Sequence, residues 1–221
     1  MKTRVYLILL ILGCFYSQSN AQFFPIDTFK LNNAYRELIN NSNTLDRQKK
    51  FFDLFPSTWM EYIMTYQYVP NDKYDLSMYN IAEEHVSALG NRVTLIPDTI
   101  YCSKLINISI NAFYDADAPN YLKALLHTKM WDLNKADVFF QILKKLSKAD
   151  QIKFWQFYWS SENPKPKSEY DRLYKLMADV YPEEIKLMKV GFENFNGQSE
   201  FSVNYPYLEN ENMKNKNKHT H

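Results

Sequence analysis

Glycine is the residue this chain nearly does without: four among 221, at Gly13, Gly90, Gly191 and Gly197. Tight two-residue hairpins need positive φ at their turn positions, which glycine supplies most readily. Walker and dinucleotide-binding loops need several glycines where backbone meets phosphate, so both are excluded. Helices need glycine at most where they end. The scarcity therefore points to an all-helical chain.

Apolar periodicity agrees. Thr28 to Asn41 carries Phe29, Ala34, Tyr35, Leu38 and Ile39 at largely helical spacing. A second helix runs from Thr44 through Phe51, Phe52 and Phe55 and stops before Pro56. Thr58 with Glu61 three residues on is a capping-box pattern, leading into Trp59, Tyr62, Ile63 and Tyr66. Leu76 to Leu89 follows, with Gly90 in the C-terminal capping position. Thr99 to Phe113 has a helix's length, although residues 105–110 also alternate as a strand would. Asp115 to Pro119 reads as a helix start, for a helix reaching about Met130. In Asn134 to Leu146, Phe139, Ile142, Leu143 and Leu146 fall on one stripe. Ser147 and Asp150 restart the chain into a helix apolar on most sides, from Ile152 to Trp159, which belongs at the centre. Asn163 to Pro166 breaks it, and Ser168 to Val180 and Pro182 to Phe192 supply two more helices. The expected fold is all-α: one irregular bundle of about eight to ten helices over residues 22–197. Residues 198–221, Asn- and Lys-rich toward the end, form an extended tail.

Residues 1–21 read as an export leader. Lys2 and Arg4 precede an apolar run from Val5 to Phe15, and Ser19-Asn20-Ala21 presents small residues before Gln22. The run falls short of the ~20 residues a membrane span needs. Cleavage after Ala21 is expected, giving an exported, periplasmic protein. In the alternative, Ile11-Leu12-Gly13-Cys14 acts as a lipobox and Cys14 becomes a lipid anchor; bulky Leu12 and Phe15 argue against it. Processing after Ala21 leaves Cys102 alone, so no intrachain disulfide can form. It also removes Lys2 and Arg4 from 26 basic residues and none of the 25 acidic ones. A remainder so near neutrality has no long-range field for nucleic acid or an anionic membrane.

Little chemistry is legible. Glu84-His85 has no second histidine four residues on, so the zincin motif is missing. His127 has only Lys123 and Trp131 at helical spacing, and His219 and His221 sit in the tail without further ligands. Cys102 lies beside Tyr101 and Leu105, as an inert core thiol would. Asp115 and Asp117 could meet a cation or a basic partner, but they lack the further ligands of a calcium loop and suit helix capping. The block from Phe154 to Trp159 could stack on sugars or bases, yet its spacing is that of a core. Glu37, Glu61, Glu83 and Glu84 define no acid–base pair. No cofactor, metal or catalytic residue is expected.

Phe51-Phe52-x-Leu54-Phe55-Pro56-x-Thr58, Tyr101-x-x-Lys104-Leu105-Ile106-x-Ile108, Tyr114-Asp115-Ala116-Asp117-Ala118-x-Asn120-Tyr121-Leu122 and Phe154-Trp155-x-Phe157-Tyr158 follow in order. Together they resemble a group of exported, all-helical proteins of Bacteroidetes-type bacteria, some of which act as immunity proteins against antibacterial toxins. The resemblance spans residues 45–160, with Asp115 to Ala118 its most specific part; the group usually has Trp where this chain has Tyr114. It implies a protein partner, a toxin neutralised by tight binding, and identifies no catalytic residue. An envelope accessory role, or an enzyme with a site dispersed in sequence, are the alternatives. The surplus of aromatics, 17 Tyr and 15 Phe, suggests a partner surface at Tyr66, Tyr68, Tyr74 and Tyr79, around the loop from Pro70 to Asp75, joined by Asp115 and Asp117.

Intact mass of the exported protein tests the leader. The chain is expected to begin at Gln22 without lipid; a diacylated Cys14 would place it on a membrane instead.

Overall fold

The computed structural model describes residues 26–67, 77–113, 117–160 and 167–194. Among them the order is α1 (Thr28–Asn40), α2 (Leu45–Leu54), α3 (Trp59–Tyr66), a 3-10 turn (Tyr79–Ile81), α4 (Ala82–Arg92), α5 (Asp98–Ser109), α6 (Ala118–Trp131), α7 (Leu133–Leu143), α8 (Lys148–Trp159), α9 (Lys167–Met177) and α10 (Pro182–Asn194). Helix makes up 78% of the described residues and no strand occurs among them, so the fold is an all-α, multi-helix domain. The expected break at Asn163 to Pro166 and the tail from Gln198 lie outside the described residues.

Helix starts are set locally. Asp27 accepts from the Lys30 amide at 3.0 Å, and Thr58 with Glu61 forms the complete reciprocal capping box. Asp132 accepts from the amides of Asn134 and Lys135, and Ser147 from that of Asp150. Each satisfies a donor that the first helical turn leaves without a partner.

Helix ends are closed differently, because the chain lacks glycines to close them. No described residue adopts the left-handed conformation of the usual helix C-cap; the one positive φ belongs to Asp117, at a helix start. The last carbonyls instead take protons from side chains of other helices. Phe52 O has no helical donor, since the residue four further on is Pro56; Lys104 of α5 donates to it, and to Phe55 O at 2.6 Å. Tyr101 donates to Leu89 O at 3.0 Å, and Lys129 to Gly90 O at 2.7 Å. Lys123 reaches Ser160 O at 2.6 Å, and Arg172 reaches Met130 O at 3.0 Å. Burial holds the Lys104 ammonium down at about 8, Asp53 and Glu61 opposing the shift.

Side by side, helices two places apart in sequence make much of the body. Tyr79, just before α4, bonds Asp117, just before α6, while Gly90 near the end of α4 meets Lys129 near the end of α6. The two helices therefore run parallel. Asp98 in the first turn of α5 likewise pairs with Lys135 in the first turn of α7 at 2.5 Å. Between α8 and α10 the approach is so close that a Cβ on Gly191 would overlap that of Trp155. The core is aromatic: Phe154, Trp155, Phe157, Tyr158 and Trp159 are all buried on α8, which packs against α5, α6 and α10.

The segment expected as a helix from Thr99 to Phe113 is one as far as Ser109, buried at Tyr101, Cys102, Leu105, Ile106, Ile108 and Ser109, and residues 110–113 leave it as a turn. One expectation changes. Gly90 does not end α4, which continues to Arg92. Its small size serves packing, because a Cβ there would meet Leu125 Cδ1 at 2.8 Å.

Candidate partner-binding surface

The sequence-based surface is partly dismantled. Tyr66 is fully buried, with its hydroxyl 3.0 Å from His85 Nδ1 and its ring against Phe55 and Tyr62. It lies on the same apolar stripe as Trp59, Tyr62 and Ile63, which decides its direction more strongly than the neighbouring loop does. Tyr68, Tyr74 and Asp115 lie outside the described residues. Tyr79 and Asp117 are brought together: the phenol donates to the Asp117 carboxylate at the surface. Asp117 does occupy the N-cap position of α6, but its side chain caps no amide and its φ is 63°. Pro119 in the first turn has already removed one of the donors a cap would serve. Close by, burial first and then Glu83, Asp117 and Glu84 push the Tyr121 phenol above its ordinary value.

About 20 Å away, toward the far end of the 14-residue α6, four large apolar side chains are exposed. Leu95, Ile100, Trp131 and Leu133 are each at least half exposed, Trp131 at 59%. They belong to the α4–α5 connection, the first turn of α5, and the α6–α7 junction. The Asp98–Lys135 pair joins the last two elements. This end is rigidly built. Gln48, buried on α2, accepts from the amides of Thr94 and Leu95 at 2.7 Å each. Arg172 on α9 lays its guanidinium 4.1 Å from the centre of the Trp131 ring while donating to Met130 O. The sequence pointed elsewhere because these residues fall off the apolar stripes, in connections and first turns. What marks them is that a large apolar side chain occupies a position with no core to face.

Buried titratable groups serve the architecture. His127 offers its ring nitrogens to Glu169 Oε2 at 2.8 Å and Tyr158 O at 2.9 Å, its ring stacked on that of Tyr158. Tyr158 donates to the other Glu169 oxygen. Burial alone would raise the Glu169 carboxyl, but bonds from His127 and Tyr158 and the Arg172 charge hold it below the usual range. Sequence spacing gave His127 no partner, since Glu169 is 42 residues away. Burial pushes the Cys102 thiol up to about 12, far from a thiolate nucleophile. No group of three or more His, Cys, Asp or Glu that could hold a metal ion occurs among the described residues. None of the described helices is long and apolar enough to cross a membrane.

No family model, characterised protein or solved structure matches the chain.

His85 carries the pH dependence of this region. It is wholly buried beside Tyr35, Phe51 and Tyr66. Tyr66 occupies Nδ1, and Nε2 has no hydrogen-bond partner among the described residues. Burial lowers its pKa to about 4, against ~6.5 in an unfolded chain. Between those values the unfolded chain binds a proton that the folded chain refuses. Stability is therefore expected to fall as pH drops from ~6.5 to 4, by up to ~3 kcal/mol from this group. Urea titrations across that range should show a shallower slope in His85→Gln; an equal slope would contradict the assignment.

Proposed function

We propose that the chain is an exported protein-binding protein of the immunity type, which neutralises an antibacterial toxin by covering part of its surface. The carrying observation is the exposure of Leu95, Ile100, Trp131 and Leu133 on connections and helix ends that the Asp98–Lys135 pair draws together. Exposed apolar clusters on an otherwise well-packed body mark sites of association. Trp131 is the natural anchor: large, amphipathic, exposed, and already held by Arg172, so little side-chain freedom is lost on binding. A stable interface needs ~800 Å² on each partner, which extends beyond these four residues and uses them as its centre. The leader at residues 1–21 and the resemblance over residues 45–160 support the same reading. Immunity of this kind requires a surface and no reaction.

The test is protection. In a sensitive strain, the full chain is expected to rescue growth from the toxin encoded beside it, and a form lacking residues 1–21 is not. Trp131→Ala should loosen toxin binding at least ~30-fold, the scale of an interface hot spot. Phe29→Ala, at an exposed aromatic on α1, should bind as the parent does. Equal protection by both forms, or no toxin gene alongside, would overturn the proposal in favour of an envelope accessory role.

A further inference from the structure

We infer that the recess beside Leu95, Ile100 and Leu133 receives a carboxylate side chain, Asp or Glu, from the protein partner; this rests on the surface proposed above and adds the partner's chemistry. The recess holds about 90 Å³, and Thr94, Ile96, Tyr101, Asp98, Lys129 and Lys135 contribute to its walls. That volume suits the head of one side chain rather than a small-molecule substrate, for which pockets run to ~300 Å³ and above.

Charge decides what kind of head. Two ammonium groups and one carboxylate line the recess, with the Asp132 carboxylate near enough to act on Lys129. Lys135 is paired with Asp98 at 2.5 Å. Lys129 gives one proton to Gly90 O and lies 5.4 Å from the centre of the Tyr101 ring. An ammonium has three donors, so a bond to Gly90 O leaves Lys129 able to donate again. Burial first, and then Lys135, hold Lys129 below its ordinary value, while Cys102, Asp98 and Asp132 oppose the shift. An entering carboxylate gives the recess walls a second acceptor beside Asp98, while apolar residues flanking it on the partner cover Leu95, Ile100 and Leu133. A charge-assisted hydrogen bond is shorter and stronger than a neutral one, and partial cover by apolar neighbours spares it the screening that makes a fully exposed ion pair worth little. Asp98 already half-fills the role, and its side chain is 45% exposed, so it competes with the guest for Lys135.

That competition makes the inference testable by a gain. The full chain, with 13C-labelled lysine methylene groups, is titrated with a capped tetrapeptide carrying one glutamate among leucines, with its glutamine twin, and with acetate. The Lys129 and Lys135 signals should move with the glutamate peptide at concentrations at least tenfold below those needed for the twin or for acetate. Asp98→Asn, which frees Lys135, should tighten the glutamate peptide several-fold. Lys135→Met should weaken it about tenfold without lowering the melting temperature by more than a few degrees. Equal binding of the glutamine twin, acetate as effective as the peptide, or no tightening in Asp98→Asn would overturn the inference. Toxin binding separates this from the wider proposal. If Trp131→Ala still loosens toxin binding while the peptides are not distinguished, the surface stands and the carboxylate does not.

Discussion

The structure depends on how its helices end. A helix leaves its last four carbonyls without internal donors, and most proteins close many such ends with a glycine in the left-handed conformation. With four glycines in 221 residues and no left-handed cap among the described residues, this chain closes its ends with long cationic and phenolic side chains from neighbouring helices. Lys104, Tyr101, Lys129, Lys123 and Arg172 each cross from one helix to a carbonyl at the end of another. A cation at a helix C-terminus also meets the negative end of the helix dipole. Each contact therefore closes a helix and fixes the relative position of two.

The same contacts shape the surface. Arg172, which closes α6, also holds Trp131, and Lys129, which closes α4, also lines the recess. Gln48 fixes the α4–α5 connection through the Thr94 and Leu95 amides. Side chains that the architecture has already ordered thus frame the exposed apolar residues, which is the condition for an anchor that loses little entropy on binding. At the opposite end of α6, Tyr79 and Asp117 bond each other within an acidic neighbourhood, so the two ends offer a partner contrasting chemistry.

What could be read from the sequence follows the range of the interactions. The Thr58–Glu61 box and the Ser147 cap act within a few residues, and they were legible. Helix identity, and the burial of Phe154 to Trp159, followed from periodicity. Contacts across long separations were not legible: Lys104 lies 52 residues from Phe52, and His127 42 from Glu169. Gly90 shows a local rule that did not hold: α4 runs past it to Arg92, and a Cβ there would crowd the end of the Leu125 side chain. For Tyr66 two local readings competed, and the apolar stripe prevailed over the adjacent loop. Trp131 and Leu133 escaped notice because exposure is a property of what packs nearby, which spacing along one chain does not record.

The most direct test of this account is Lys104→Met, which keeps the length of the side chain and removes its donors. Phe52 O then has no donor from its own helix, because Pro56 has no amide proton to offer. Urea unfolding should show a loss of about 2 kcal/mol, whereas Lys145→Met, at an exposed position on the α7–α8 connection, should stay within ~0.5 kcal/mol of the parent. Equal stability of the two variants would contradict the claim that neighbouring cations close these helices.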